Sequence, residues 1–187
     1  MNNILWHIIA SALLLCVFST TAYSEEKHKI GIGYEFGGAH VDDDTVLGKL
    51  DDNSIGHLSL TYEYSFNEKF AVELFALDGD TQSFSIILDD LFSKSELEYK
   101  SFGIGLRAQQ ALTKRINLFA KAGMHRYDYE LTRTDVLLND SDGFSYYASA
   151  GIEFQFYDFG VNVNYRLLDM GNEIFASVLA WGVSYRF

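Results

Sequence analysis

The sequence predicts an all-β protein, an eight-stranded antiparallel up-and-down transmembrane β-barrel, on three observations. Eight runs alternate apolar residues with polar or small ones at period two, the signature of strands with two unlike faces. Short connections alternate with long ones, as when turns gather on one rim of a barrel and loops on the other. The 187 residues contain no proline, where average usage would supply roughly nine; proline cannot donate to a ladder, so its absence suits continuous pairing. A composition 48% hydrophobic and 16% aromatic excludes a disordered chain, and the length predicts one domain. Twenty-six acidic residues against 14 basic ones, a formal charge of −12, exclude nucleic acid as a partner, because phosphate binding needs clustered Lys and Arg.

The first element is a leader. Residues 1–24 contain no Asp, Glu, Lys or Arg, and the apolar stretch Ile4 to Phe18 has the length of a signal-peptide core. Ala22 and Ser24 supply the small residues of a cleavage site, predicting export and a cut between Ser24 and Glu25. The stretch is short for a membrane helix. Cys16, the single cysteine, falls inside it behind Leu15, which is too large for the lipoprotein pattern; the barrel domain, 25–187, therefore has no disulfide and no thiol nucleophile.

The strands follow in order. Ile30, Ile32, Tyr34 and Phe36 alternate with Gly31, Gly33, Glu35 and Gly37; Leu58, Leu60, Tyr62, Tyr64 and Phe66 alternate with His57, Ser59, Thr61, Glu63 and Ser65. Phe70, Val72, Leu74 and Ala76 face away from Ala71, Glu73 and Phe75, and Phe102, Ile104, Leu106 and Ala108 away from Ser101, Gly103, Gly105, Arg107 and Gln109. Leu118, Ala120, Ala122 and Met124 oppose Lys121, Gly123 and His125; the even-numbered residues from Phe144 to Phe156 oppose Tyr147, Ser149, Gly151, Glu153 and Gln155. Phe159, Val161, Val163, Tyr165 and Leu167 oppose Gly160, Asn162, Asn164 and Arg166, and Leu179, Trp181, Val183, Tyr185 and Phe187 oppose Val178, Ala180, Gly182, Ser184 and Arg186. Each run is about long enough to cross a bilayer at a tilt.

Alternation alone does not say which face is inside, since a soluble barrel turns its apolar face inward. Three features decide for a membrane barrel. Short turns at Asn67 to Lys69, Leu112 to Arg115 and Asp158 alternate with long loops at Val41 to Ser54, Asp78 to Glu98 and Glu130 to Gly143; only the last outer connection, Asp169 to Ile174, is brief. Aromatics cluster beside the short turns, at one rim, where a headgroup-level girdle belongs. The polar face is balanced in charge: Glu35, Glu63, Glu73 and Glu153 against Arg107, Lys121, Arg166 and Arg186. A soluble carrier would line its cavity with apolar groups instead.

The stretch Ser101 to Glu130, SFGIGLRAQQALTKRINLFAKAGMHRYDYE, resembles the central hairpin of small eight-stranded outer-membrane proteins, the barrel of outer-membrane protein A and the OmpX/Ail and opacity-type groups. The ending AWGVSYRF, Ala180 to Phe187, is similar to their terminal strand. The resemblance implies that Trp181, Val183, Tyr185 and Phe187 are the signal read by the barrel-assembly machinery. It implies bacterial outer-membrane location and an architecture, not an activity: outer-membrane protein A also carries a peptidoglycan-binding domain, which this sequence does not contain.

Function is then read from lumen and loops. An eight-stranded barrel is just wide enough for its own side chains to fill, so the eight inward charges are expected to pair as a structural plug, with a narrow or gated ion path as the alternative. His57 and His125 point inward as filler, and no cofactor or metal is expected. The four connections at the long-loop end hold 17 of the 26 acidic residues and three of the 14 basic ones. Such a rim suits lipopolysaccharide bridged by divalent cations or adhesion-type contacts, or simply a solvated face; no loop has the spacing of a calcium motif. The apolar segment Ser83 to Phe92 extends its hairpin, lies on the rim or presents an adhesive patch. His57, Ser59 and Glu63 have the residue types of a lipid A deacylase, but Leu60 stands where that family's asparagine follows the serine. The sequence therefore predicts a monomeric, non-enzymatic outer-membrane barrel with a structural or surface-interaction role, with lipid A modification as a further alternative.

Overall fold

The computed structural model describes residues 27–41, 53–80, 95–133, 136–171 and 174–187. The predicted leader and the segment Ser83 to Phe92 lie outside the described residues. Eight strands run β1 His28–Val41, β2 Asn53–Ser65, β3 Phe70–Asp80, β4 Ser95–Ala111, β5 Ile116–Arg133, β6 Val136–Phe156, β7 Phe159–Asp169 and β8 Ile174–Arg186. Each pairs antiparallel with its predecessor, and β1 pairs with β8, so the sheet closes into a barrel with no free edge. The seam is held to its last residue: His28 N–H donates to Phe187 O at 3.1 Å, and Phe187 N–H to His28 O at 2.8 Å.

The two faces are inverted relative to a soluble barrel. Ile32, Leu58, Ile104, Leu106, Met124, Val161, Trp181 and Val183 point outward and are exposed, Leu106 at 63%. Glu35, Glu63, Glu73, Glu153, Arg107, Lys121 and Arg166 point inward and are buried. In water an apolar belt of this extent would aggregate; hydrocarbon is the solvent it fits, and a closed ladder is the β-structure that can enter it without unpaired backbone groups.

Short turns close one end. Asn67 Oδ1 accepts from the backbone N–H groups of Lys69 and Phe70 at 2.8 and 2.9 Å, which folds the β2–β3 turn. Thr113 Oγ1 accepts from Arg115 N–H at 3.2 Å in the β4–β5 turn. The β6–β7 turn is Tyr157–Asp158, with Tyr157 at φ 56°, in the left-handed region that glycine or asparagine adopts more easily.

At the other end the structure corrects the loop assignments. Glu130 to Gly143 is not a loop: β5 runs to Arg133 and β6 begins at Val136, with a register shift between Leu131 and Thr132. Asp78 to Glu98 is shorter than expected, because β3 reaches Asp80 and β4 starts at Ser95. The brief connection after Asp169 is therefore not the only one. Alternation continues past the apolar belt with a change of partners: Tyr127 and Tyr129 stay inward and buried while Asp128 and Glu130 face outward. A polar outward face reads as loop in sequence, but it is a strand that has left the hydrocarbon. Aromatics also stand at both rims rather than one, since Phe144, Tyr146 and Phe175 are exposed towards the loop end.

Candidate functional site

Alternate residues of all eight strands project into one enclosed interior, which forms two layers. The layer towards the short turns is ionic. Lys29 opens β1, and its Nζ lies 2.6 Å from Glu63 and 2.8 Å from Glu153. Arg107, from β4, forks between the same two carboxylates: Nη1 donates to Glu63 at 2.9 and 3.1 Å, Nη2 to Glu153 at 2.9 Å. Lys121, on β5 opposite Arg107, lies 3.2 Å from Glu63 and also pairs with Glu73, which further accepts from Tyr147 Oη at 3.3 Å. The Arg107 guanidinium lies 4.2 Å above the Phe119 ring. Six charges, one from each of β1 to β6, thus form one connected cluster, and every member is at most 8% exposed.

A separate pair, Glu35 on β1 and Arg166 on β7, lies farther in: Arg166 Nη1 donates to Glu35 Oε1 at 2.7 Å. Its guanidinium is 5.0 Å from the Phe75 ring and 5.8 Å from that of Tyr147. Glu35, Glu63, Glu73 and Glu153 against Lys29, Arg107, Lys121 and Arg166 make four buried charges of each sign. Arg186 is peripheral, its side chain 23% exposed and 4.0 Å from Glu153. With its amide oxygen turned to face it, Gln155 accepts from Arg186 at 2.7 and 3.0 Å. Lys29 thus occupies the fully buried place that charge balance alone assigns to Arg186. Its position was legible, since it shares the parity of Gly31, Gly33 and Glu35.

The layer towards the long loops is apolar and aromatic: Ile55, Phe75, Leu77, Tyr99, Tyr127, Tyr129, Tyr147, Leu168 and Met170 are all buried there. Phe75 and Tyr147 meet edge to face at 4.8 Å. They fit because the wall beneath them is glycine: a Cβ on Gly123 would stand 2.7 Å from the Tyr147 ring, one on Gly105 2.8 Å from it, and one on Gly103 would strike Phe75. The alternation places Phe75 and Tyr147 on the inner face but misses Tyr99, Tyr127 and Tyr129, which lie between the ends of the assigned strand runs and the loops Asp78 to Glu98 and Glu130 to Gly143.

Both inward histidines sit in this layer. His125 Nε2–H donates to Asp169 O at 2.8 Å, so in the neutral ring Nδ1 accepts from Ser101 Oγ, also at 2.8 Å. His57 stacks obliquely on Tyr99 with centroids 4.9 Å apart, and neither of its ring nitrogens has a hydrogen-bond partner among the described residues. Ser59 is buried beside it in the lumen and makes no bond to it. A base that does not touch the hydroxyl, on the face away from lipid, does not form the nucleophile–base pair an acyl hydrolase needs. Between the charged groups remains a polar cavity of about 30 Å³, bordered by Lys29, Glu35, Ser59, Asn164, Arg166 and Ser184. That is room for about two waters.

Comparison with known proteins agrees with this architecture. The outer membrane protein beta-barrel domain family matches residues 10–187. No curated protein matches the chain. Among solved structures it is similar to Ail, the attachment invasion locus protein of Yersinia pestis, at 18% identity and a TM-score of 0.62, covering 88% of this chain and 100% of that one. It is similar to Neisserial surface protein A at 11% identity and a TM-score of 0.64, covering 86% and 97%. The N-terminal barrel of Pseudomonas aeruginosa OprF aligns at 9% identity and a TM-score of 0.54, covering 85% and 97%. At these identities the likeness is one of fold, whereas the family match extends over nearly the whole sequence: the chain belongs to the outer membrane protein beta-barrel domain family and is a barrel of the bacterial outer membrane.

Proposed function

We propose that this barrel serves the envelope as a structural and surface-interacting element whose lumen is plugged, without enzymatic activity and as a monomer. The observation that carries this reading is the use of the interior. Four carboxylates and four cations are matched with their partners at hydrogen-bond distance, an aromatic layer covers them, and the polar cavity beside the Glu35–Arg166 pair is about 30 Å³. Buried charges of this kind persist only when paired, and a barrel of eight strands has no width to spare beyond its side chains.

Contact with the surroundings then falls to the loops and rims. The long-loop end, strand extensions and connections together, holds 17 of the 26 acidic residues, which suits cationic partners and lipopolysaccharide bridged by divalent cations. Ail has been crystallised with the heparin analogue sucrose octasulfate; an acidic rim favours the opposite sign of partner. During biogenesis Trp181, Val183, Tyr185 and Phe187 present the alternating outward residues for the assembly machinery to read.

A narrow ion path is the second reading, favoured by the polar cavity beside the Glu35–Arg166 pair. Planar-bilayer recording of the purified barrel separates the two. A plugged lumen gives no stable conductance steps at ±100 mV, and reproducible single-channel steps overturn the plug.

A further inference from the structure

We propose that the short-turn rim carries a binding surface for the headgroups of anionic phospholipids in the periplasmic leaflet, formed by Lys69, Lys114 and Arg115. The three cations lie on two neighbouring turns. Gln109 N–H donates to Lys69 O at 2.8 Å and Gln109 Nε2 to Glu68 O at 2.9 Å, which fastens the β2–β3 turn to the end of β4, just before the β4–β5 turn that carries Lys114 and Arg115. The turns are rigid through their own Asn67 and Thr113 hydrogen bonds, so the cations are held at their tips. All three side chains are exposed, and none belongs to an ion pair among the described residues.

Directly above them on the outer surface are Phe66, Phe70 and Leu112, each more than half exposed. A lipid whose acyl chains cover those three residues has its headgroup at the level of the cations. Among the described residues, Glu68 is the one acidic side chain on these two turns, in a molecule whose overall charge is −12. A protein so acidic would repel an anionic headgroup if charge acted only as a sum, so the clustering of three cations gives this sector a sign of its own. A phosphodiester headgroup bearing net negative charge is the lipid chemistry that complements it, and a zwitterionic one is not.

The test reconstitutes the full barrel in phosphatidylcholine vesicles with trace spin-labelled lipid and measures the association of labelled phosphatidylglycerol relative to labelled phosphatidylcholine at the protein surface. The wild-type barrel should prefer phosphatidylglycerol, and the preference should weaken as salt rises. The triple variant Lys69→Gln, Lys114→Gln, Arg115→Gln should lose it several-fold, up to about fivefold per cation. A control pair at the opposite end, Lys100→Gln with Arg126→Gln, should keep it. Heat-modifiable gel migration verifies that each variant forms the barrel. If the triple variant does not, Lys114→Gln with Arg115→Gln carries the test, since neither side chain makes a turn hydrogen bond. No wild-type preference, an unchanged preference in the rim variant, or an equal loss in the control pair overturns the proposal.

Discussion

Glu35 and Arg166 form the isolated pair of the lumen, and a double-mutant cycle on them measures how such a barrel interior is stabilised. The carboxylate and the guanidinium meet at 2.7 Å, with the two side chains 1% and 2% exposed. Removing one partner leaves the other buried and uncompensated, a loss of about 3–5 kcal/mol. Glu35→Gln should therefore destabilise by that amount. Arg166→Met should fall at the upper end, because it also removes the cation from the Phe75 and Tyr147 rings, a contact worth up to about 2 kcal/mol when desolvated. The double variant replaces two charges by neutral groups of similar volume, and its loss should be smaller than the sum of the singles by at least about 3 kcal/mol. Urea unfolding from lipid vesicles, followed by tryptophan fluorescence and by gel migration, measures all three. Singles within about 1 kcal/mol of wild type, or a double equal to the sum of the singles within about 0.5 kcal/mol, would refute the pairing account.

The aromatic layer and the chain end give two further expectations. Phe75 is 2% exposed, packed edge to face on Tyr147 and lying against Arg166; Phe75→Ala should cost about 3–5 kcal/mol in the same unfolding assay, and a loss below about 1 kcal/mol would mean that the layer is loosely packed. Phe187→Ala keeps the backbone bonds to His28 and removes only a ring stacked 5.6 Å from His28 and 6.2 Å from Tyr185, so the folded barrel should lose about 1 kcal/mol or less. The yield of heat-modifiable barrel in cells should nonetheless fall much more than the yield of refolding in vitro, and equal effects in both settings would remove the residue's role as an assembly signal.

What the sequence makes legible here is whatever period two and the hydrocarbon impose together. Where a strand crosses the apolar belt, Ile104 and Leu106 must face out, and Gly105 and Arg107 follow inward by parity, so the eight strands and the facing of each buried charge can be read without a structure. Above the belt water accepts any residue, the outward face becomes Asp128, Glu130 and Asp142, and the only remaining strand signal is the inward row of Tyr127 and Tyr129. Apolar and polar residues still alternate there, but with the apolar ones facing in, so a reading that follows outward hydrophobicity stops too early. Partners inside the barrel are harder still. Parity says that Lys29 and Arg186 both point inward, but reach and stagger decide that Lys29 touches two carboxylates while Arg186 stays near the rim with Gln155.

The unequal strand lengths make the wall lopsided. β6 has 21 residues and β7 only 11, while a tilted crossing uses about 9–11. On the β4–β6 side roughly ten residues are therefore left over, a charged parapet about 30 Å long measured along the strand. Next to β6, β7 and the start of β8 stop about ten residues lower on the wall. Among the described residues, approach from outside is consequently direction-dependent: a bulky molecule descending on the low side can reach the membrane plane, whereas one arriving over the parapet is held off at the height of the sugar coat and meets Asp128, Glu130, Asp140 and Asp142 first.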